Sequence, residues 1–94
     1  AAVLPISDDF NGYAEKVAAR LKDRGFRIDV DDRNETIGYK IRSAESDKVP
    51  YMLIVGQKEM ESDSVAVRRQ GSGEQGSEKV DTFLKRLESE TTLV

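Results

Sequence analysis

Residues 26–44, "FRIDVDDRNETIGYKIRSA", change their period halfway along. Phe26, Ile28 and Val30 alternate with Arg27 and Asp29, the period-two pattern of a strand with one buried face. From Ile37 onward the apolar positions Ile37, Ile41 and Ala44 share one face of a helix. The polar residues Asp31 to Thr36 between them therefore form a strand-to-helix loop. Such a handover is half of a crossover connection, and it sets the α/β class. Gly38 weakens the first turn of the helix but admits another backbone or a ligand to close range.

Working outward, Val3 to Ile6 reads as a short buried strand with Pro5 near its end. From Asp9 to Asp23, the positions Tyr13, Ala14, Val17, Ala18 and Leu21 recur at helical spacing, and Gly25 supplies the stop. Pro50 precedes "YMLIV", residues 51–55, a continuous apolar run of the kind found in interior parallel strands. After the polar "QKEMESDS", 57–64, residues Ser64 to Arg69 form a further strand, returning antiparallel because the gap is short. "QGSGEQGS", 70–77, has the composition of a flexible loop. Ser77 is placed to cap a last helix buried along Val80, Phe83, Leu84 and Leu87, and "ETTLV", 90–94, is expected to fray. The predicted order is β-α-β-α-β-β-α over a single domain, 1–94. It describes a mixed, mostly parallel sheet with helices on its faces, three strands parallel and a fourth antiparallel.

Composition narrows the chemistry. The 94 residues contain no Cys and no His, which excludes disulfides, thiolate zinc sites and imidazole catalysis within the chain. With a net charge of −3 and 35% charged residues, nucleic acid must be held by placed groups rather than by a general basic field. No apolar run is long enough to cross a bilayer and no signal segment opens the chain, so a cytoplasmic location is expected. The abrupt apolar start, "AAVLPI", points to a piece of something longer.

Two polar constellations compete for a role. Asp29, Asp31 and Asp32 lie at the carboxyl end of a predicted strand, where open α/β sheets bind ligands, and clustered carboxylates suit Mg²⁺. No phosphoryl-transfer partner accompanies them, and acidic residues between a strand and a helix are ordinary. The alternative is base recognition. Asn34 offers a donor and an acceptor, Arg68 a planar donor fork, and Glu59 an acceptor for the adjacent ring N–H and amino donors of guanine. "QGSGEQGS" lacks the Lys-Ser/Thr ending of a phosphate-binding P-loop.

"YAEKVAARLKDRGFRIDVDDR", "RNETIGYKIR", "KVPYMLIVGQKEME" and "VAVRRQG" together resemble the C-terminal anticodon-binding domain of threonyl-tRNA synthetases, across nearly the whole chain. The related prolyl, histidyl and glycyl domains share the architecture, but this combination is similar to the threonyl branch. The resemblance implies a mixed sheet flanked by helices and recognition of the G and U of the threonine anticodon. It assigns that task to Asn34, Glu59 and Arg68, with Arg33, Lys40 and Arg69 as auxiliary RNA contacts. Thr36, Gln70 and Gly73 depart from residues common in relatives, so fewer backbone contacts are expected. No catalytic residue, metal site or cofactor is expected in this piece. ATP, Mg²⁺ and a catalytic Zn²⁺ belong to the implied parent ligase, as does homodimerisation through its catalytic domain, leaving the fragment monomeric. An accessory or protein-interaction module built on the same fold stands as the second reading, and a Mg²⁺ or phosphate-binding domain as the third.

Overall fold

A computed structural model describes residues 1–71 and 73–92. Three short parallel strands form one half of the sheet: β1 (Ala2–Pro5), β2 (Asp29–Val30) and β3 (Tyr51–Val55), with β1 between the other two. A 3-10 turn over Asp8–Phe10 and helix α1 (Asn11–Lys22) connect β1 to β2, and α2 (Ile37–Ser46) connects β2 to β3. These are the two crossovers expected from the periodicity. Beyond β3 come α3 (Gln57–Ser62), β4 (Ser64–Arg69), β5 (Gly73–Lys79) and α4 (Val80–Thr92). The sheet order is β2-β1-β3-β4-β5, with β4 and β5 antiparallel to their neighbours. Among the described residues no helix is long and apolar enough to cross a membrane.

Alternation divides the core between the two faces. Val3, Leu53, Val55, Val65 and Val67 point to one side, where α1 and α4 close over them with Val17, Leu21 and Phe83. Ala2, Leu4 and Met52 point to the other, where α2 covers them with Ala44, flanked by Ile37 and Ile41. Burying both faces of β1 and β3 explains why these strands read as unbroken apolar runs. The Tyr51 and Phe83 rings meet edge to face with centroids 5.6 Å apart, a favoured aromatic geometry.

Three segments differ from their sequence reading. "QKEMES" is not an irregular link but the helix α3, which buries none of its residues. Without an apolar stripe it carries no periodic signal, and local bonds sustain it instead. Gln57 Nε2 donates to Glu61 Oε1 at 2.9 Å, Ser62 Oγ donates to the Lys58 carbonyl at 2.8 Å, and Asp63 ends the helix in the left-handed region. Most of the supposed flexible loop "QGSGEQGS" is the start of β5, a fifth strand at the sheet edge. Ser77 lies in that strand opposite Ala66, so it does not cap α4. The segment expected to fray is helical through Thr92, and its last two residues lie outside the described residues.

The strand β5 escapes sequence patterning because its pairing is made by backbone and its chain carries few apolar groups. Its register slips by one residue between Val67 and Arg68, and Gly76 beside the slip has a φ of +94°. Glycine supplies that conformation at a bulge without steric cost. A Cβ there would meet nothing within 4 Å, so Gly76→Ala isolates the backbone term. Urea denaturation is expected to show a loss of about 1 to 3 kcal/mol for this variant. An unconstrained loop would give no change or a small gain.

Candidate nucleic-acid interface

The loop carrying Asn34 is built from its neighbours inward. Asp31 N–H donates to the Val3 carbonyl at 3.0 Å, continuing the β1–β2 pairing one residue past the strand. Arg33 then folds back on Asp31: Nε donates to Oδ1 at 2.8 Å and Nη2 to Oδ2 at 2.7 Å. This is the bidentate fork that makes arginine–carboxylate pairs directional. Nη2 also reaches Ser43 Oγ on α2 at 3.2 Å. Thr36 caps the helix, its hydroxyl oxygen accepting from Tyr39 N–H at 3.2 Å, as an N-cap threonine does. Asn34, exposed, stands at the crest of this braced loop.

Lys40 takes no part in the exposed surface. Its side chain is only 1% accessible, and its ammonium donates to the Pro5 carbonyl at 2.9 Å, at the end of β1. The expected RNA contact from Lys40 is therefore corrected: the charge is spent inside, tying α2 to β1. Arg33 remains exposed, but the edge of its guanidinium is committed to Asp31 rather than free for a phosphate. Arg69 is exposed but projects from the opposite face to Arg68, with its guanidinium carbon 5.6 Å from the centroid of the Tyr51 ring. No neighbour lies within 4 Å of where a Gly38 Cβ would be, so the protein itself makes no close approach there.

Glu59 stands in the first turn of α3, directly after the carboxyl end of β3. A Cβ on Gly56 would come within 3.3 Å of Glu59 Oε1 and 2.6 Å of Ile6 Cδ1. Glycine at this strand end thus leaves room for the carboxylate to fold over it. Glu59 borders a shallow depression of about 360 Å³ shared with Lys58, Ser62, Ser64 and Ser77. Arg68 lies farther along the same side of β4, since alternation puts Ser64, Ala66 and Arg68 together. Its Nε is 3.5 Å from Glu45 Oε1 on α2 yet has no hydrogen-bond partner. That guanidinium is loosely held compared with Arg33.

The three base-reading candidates do not meet at one point. Asn34 and Glu59 follow the carboxyl ends of β2 and β3, while Arg68 pairs with Met52 near the start of β3. They flank the side of the sheet on which α2 lies, spread over most of a strand's length. Separate successive bases, not one small ligand, suit that spacing. The hard-cation reading of Asp29, Asp31 and Asp32 has no supporting geometry: both Asp31 oxygens accept from Arg33, and among the described residues no acidic cluster is arranged for a metal. Sequence reasoning passed over Tyr39, although its place off the Ile37–Ile41–Ala44 stripe was a signal that its ring is exposed. It also passed over the serines beside Glu59, for which no local pattern exists.

The Arg33 hydrogen bonds hold the Asp31 carboxyl below the usual aspartate range, against burial acting the other way. A depressed folded-state pKa gives stability that is present above the ordinary Asp value and lost as pH falls through the depressed one. Asp31→Asn is therefore expected to be less stable than the unaltered chain at neutral pH. Denaturation across a pH series should show that difference closing on acidification below the normal aspartate range; a pH-independent difference would contradict the role of the ionised pair.

A family model described as "Anticodon binding domain" matches residues 1–90. The chain is 54% identical over 91 residues to the threonine–tRNA ligase of Phocaeicola vulgatus, covering 97% of this chain and 14% of that protein. It is 49% identical over 96 residues to the threonine–tRNA ligase of Clostridioides difficile, covering 98% of this chain and 15% of that protein. Among solved structures, the RNA-binding domain of threonyl-tRNA synthetase from Cryptosporidium parvum superposes with a TM-score of 0.89 at 29% identity, over 94% of this chain and 22% of that one. A prolyl-tRNA synthetase from the same organism shares the fold at TM-score 0.84 and 24% identity, over 94% of this chain and 19% of that one.

Proposed function

Because the chain belongs to the anticodon-binding domain family, as the threonyl-tRNA synthetase form of that domain, we propose that it reads the G and U of the threonine anticodon for a longer threonine–tRNA ligase. It spans 14% of the length of the first ligase it matches, and the ATP-dependent aminoacylation of tRNA is assigned to the remainder of that longer protein. The partner is the anticodon loop of the threonine tRNA.

One observation carries the reading. Glu59 is a carboxylate at the mouth of a depression lined mainly by neutral and acidic groups, on a chain of net charge −3. A carboxylate facing RNA is repelled by phosphate and weakens non-specific binding. It is favourable only opposite a donor edge, and guanine presents ring N–H and amino N–H side by side. Adenine presents a ring acceptor at the corresponding position, so the same carboxylate opposes it. Asn34 takes the neighbouring uracil, its amide matching one donor and one acceptor. Arg68, whose buried Nε lies 3.5 Å from Glu45 Oε1 and whose side chain is partly exposed, supplies cationic donors from its terminal nitrogens on the same side of the sheet.

Selectivity in this scheme comes from leaving a polar group unpaired in the wrong complex, worth about 1 to 3 kcal/mol per group. Anisotropy at fixed salt with a threonine anticodon stem-loop and its G-to-A variant tests it. The unaltered chain is expected to prefer the G form, and Glu59→Ala to lose about 1 to 3 kcal/mol of that preference. Equal affinity of the unaltered chain for the two stem-loops would refute base reading.

A further inference from the structure

Tyr39 is 45% exposed, off the apolar stripe of its helix. The Arg33 guanidinium carbon lies over its ring, 5.3 Å from the centroid. The edge of that guanidinium is fixed by the bonds from Nε and Nη2 to Asp31 and from Nη2 to Ser43. Swinging it toward a phosphate would break a charge-assisted fork. Its plane is a different matter: none of these bonds uses its faces, the guanidinium carbon lies over the Tyr39 ring, and the Arg33 side chain is 49% exposed. A guanidinium is flat, delocalised and weakly hydrated, and splayed RNA bases stack on such planes as they do on aromatic rings. Because the fork already fixes the rotamer, little further side-chain entropy is lost when a base arrives. Asn34 is the next residue in the chain.

We propose that the Arg33 plane, backed by the Tyr39 ring, is a stacking shelf for the nucleobase whose edge Asn34 reads. Asp31 is the positioning residue of the shelf, since it touches no base and acts by holding the guanidinium flat. By cancelling the charge of Arg33 it also makes the site select a planar ring rather than an anion. The inference rests on the assignment of the anticodon uracil to Asn34. It changes Arg33 from a backbone contact into a base contact.

The test compares stem-loops with uridine or 5,6-dihydrouridine at the third anticodon position, read by anisotropy at fixed salt with the 94-residue chain. Dihydrouridine keeps the Watson–Crick edge and loses the flat ring. The unaltered chain and Tyr39→Phe are expected to bind the uridine form about fivefold or more tightly. Arg33→Lys, which keeps the charge without the plane, and Tyr39→Leu, which keeps an apolar helix residue without the ring, should bring the ratio close to one. Circular dichroism verifies that each variant is folded. A ratio near one in the unaltered chain, or an undiminished ratio in both Arg33→Lys and Tyr39→Leu, overturns the shelf. A third stem-loop with cytosine at that position separates the two claims. Preference for uracil over cytosine with no dihydrouridine effect removes the shelf and leaves Asn34 reading intact, whereas equal binding of uracil and cytosine with the dihydrouridine effect present removes uracil reading by Asn34 and leaves stacking on Arg33 intact.

Discussion

The architecture depends on a buried charge. Lys40 lies under α2 with its ammonium on the Pro5 carbonyl, where β1 ends and its last acceptor would otherwise lack a partner. An ammonium removed from water is costly unless it is hydrogen-bonded and has an opposite charge nearby. Asp31 supplies that charge, since Lys40 is among the groups that favour its ionised form. Asp31 is then held by Arg33, and Arg33 by Ser43 and Tyr39. Direct bonds from Asp31 outward and the through-space attraction between Asp31 and Lys40 thus link the end of β1 to the exposed loop. The polarity of residues 31–40 reflects this linkage, which fixes a surface loop by interior electrostatics.

Periodicity made much of this fold legible. The stripe of α1, the alternation into β2, the Ile37–Ile41–Ala44 face of α2 and the apolar run of β3 each bury what they expose to pattern analysis. What stayed hidden were α3 and β5, both surface elements whose stability comes from local hydrogen bonds and backbone pairing rather than apolar burial. A pattern of hydrophobicity cannot report an element that buries little. Gly76 and its neighbours read as a loop because the residues that permit a bulged edge strand are the residues that permit a loop.

The site shows the same division. Residue type alone identified Asn34, Glu59 and Arg68 as groups able to read a base, and family resemblance selected them from among other polar residues. Neither source revealed that Lys40 is interior, that the Arg33 edge is already bonded, or that the Arg33 guanidinium lies over the Tyr39 ring. Those facts depend on contacts between elements remote in sequence, such as the 35-residue separation of Lys40 and Pro5. Charge counted along a chain does not distinguish a cation available to solvent from one already paired.

That distinction reaches beyond the site. Arg20 pairs with Asp63 and Asp81, Arg24 with Glu88, Arg86 with Glu78 and Arg33 with Asp31. Individually such pairs add little stability where they are exposed. Collectively they withdraw cations from the surface that a polyanion would meet. Retention of a mismatched RNA depends on such free cations, because its bases contribute no compensating bonds. The internal pairing therefore leaves the surface little general grip on any polyanion, and what grip remains must come from individually placed groups.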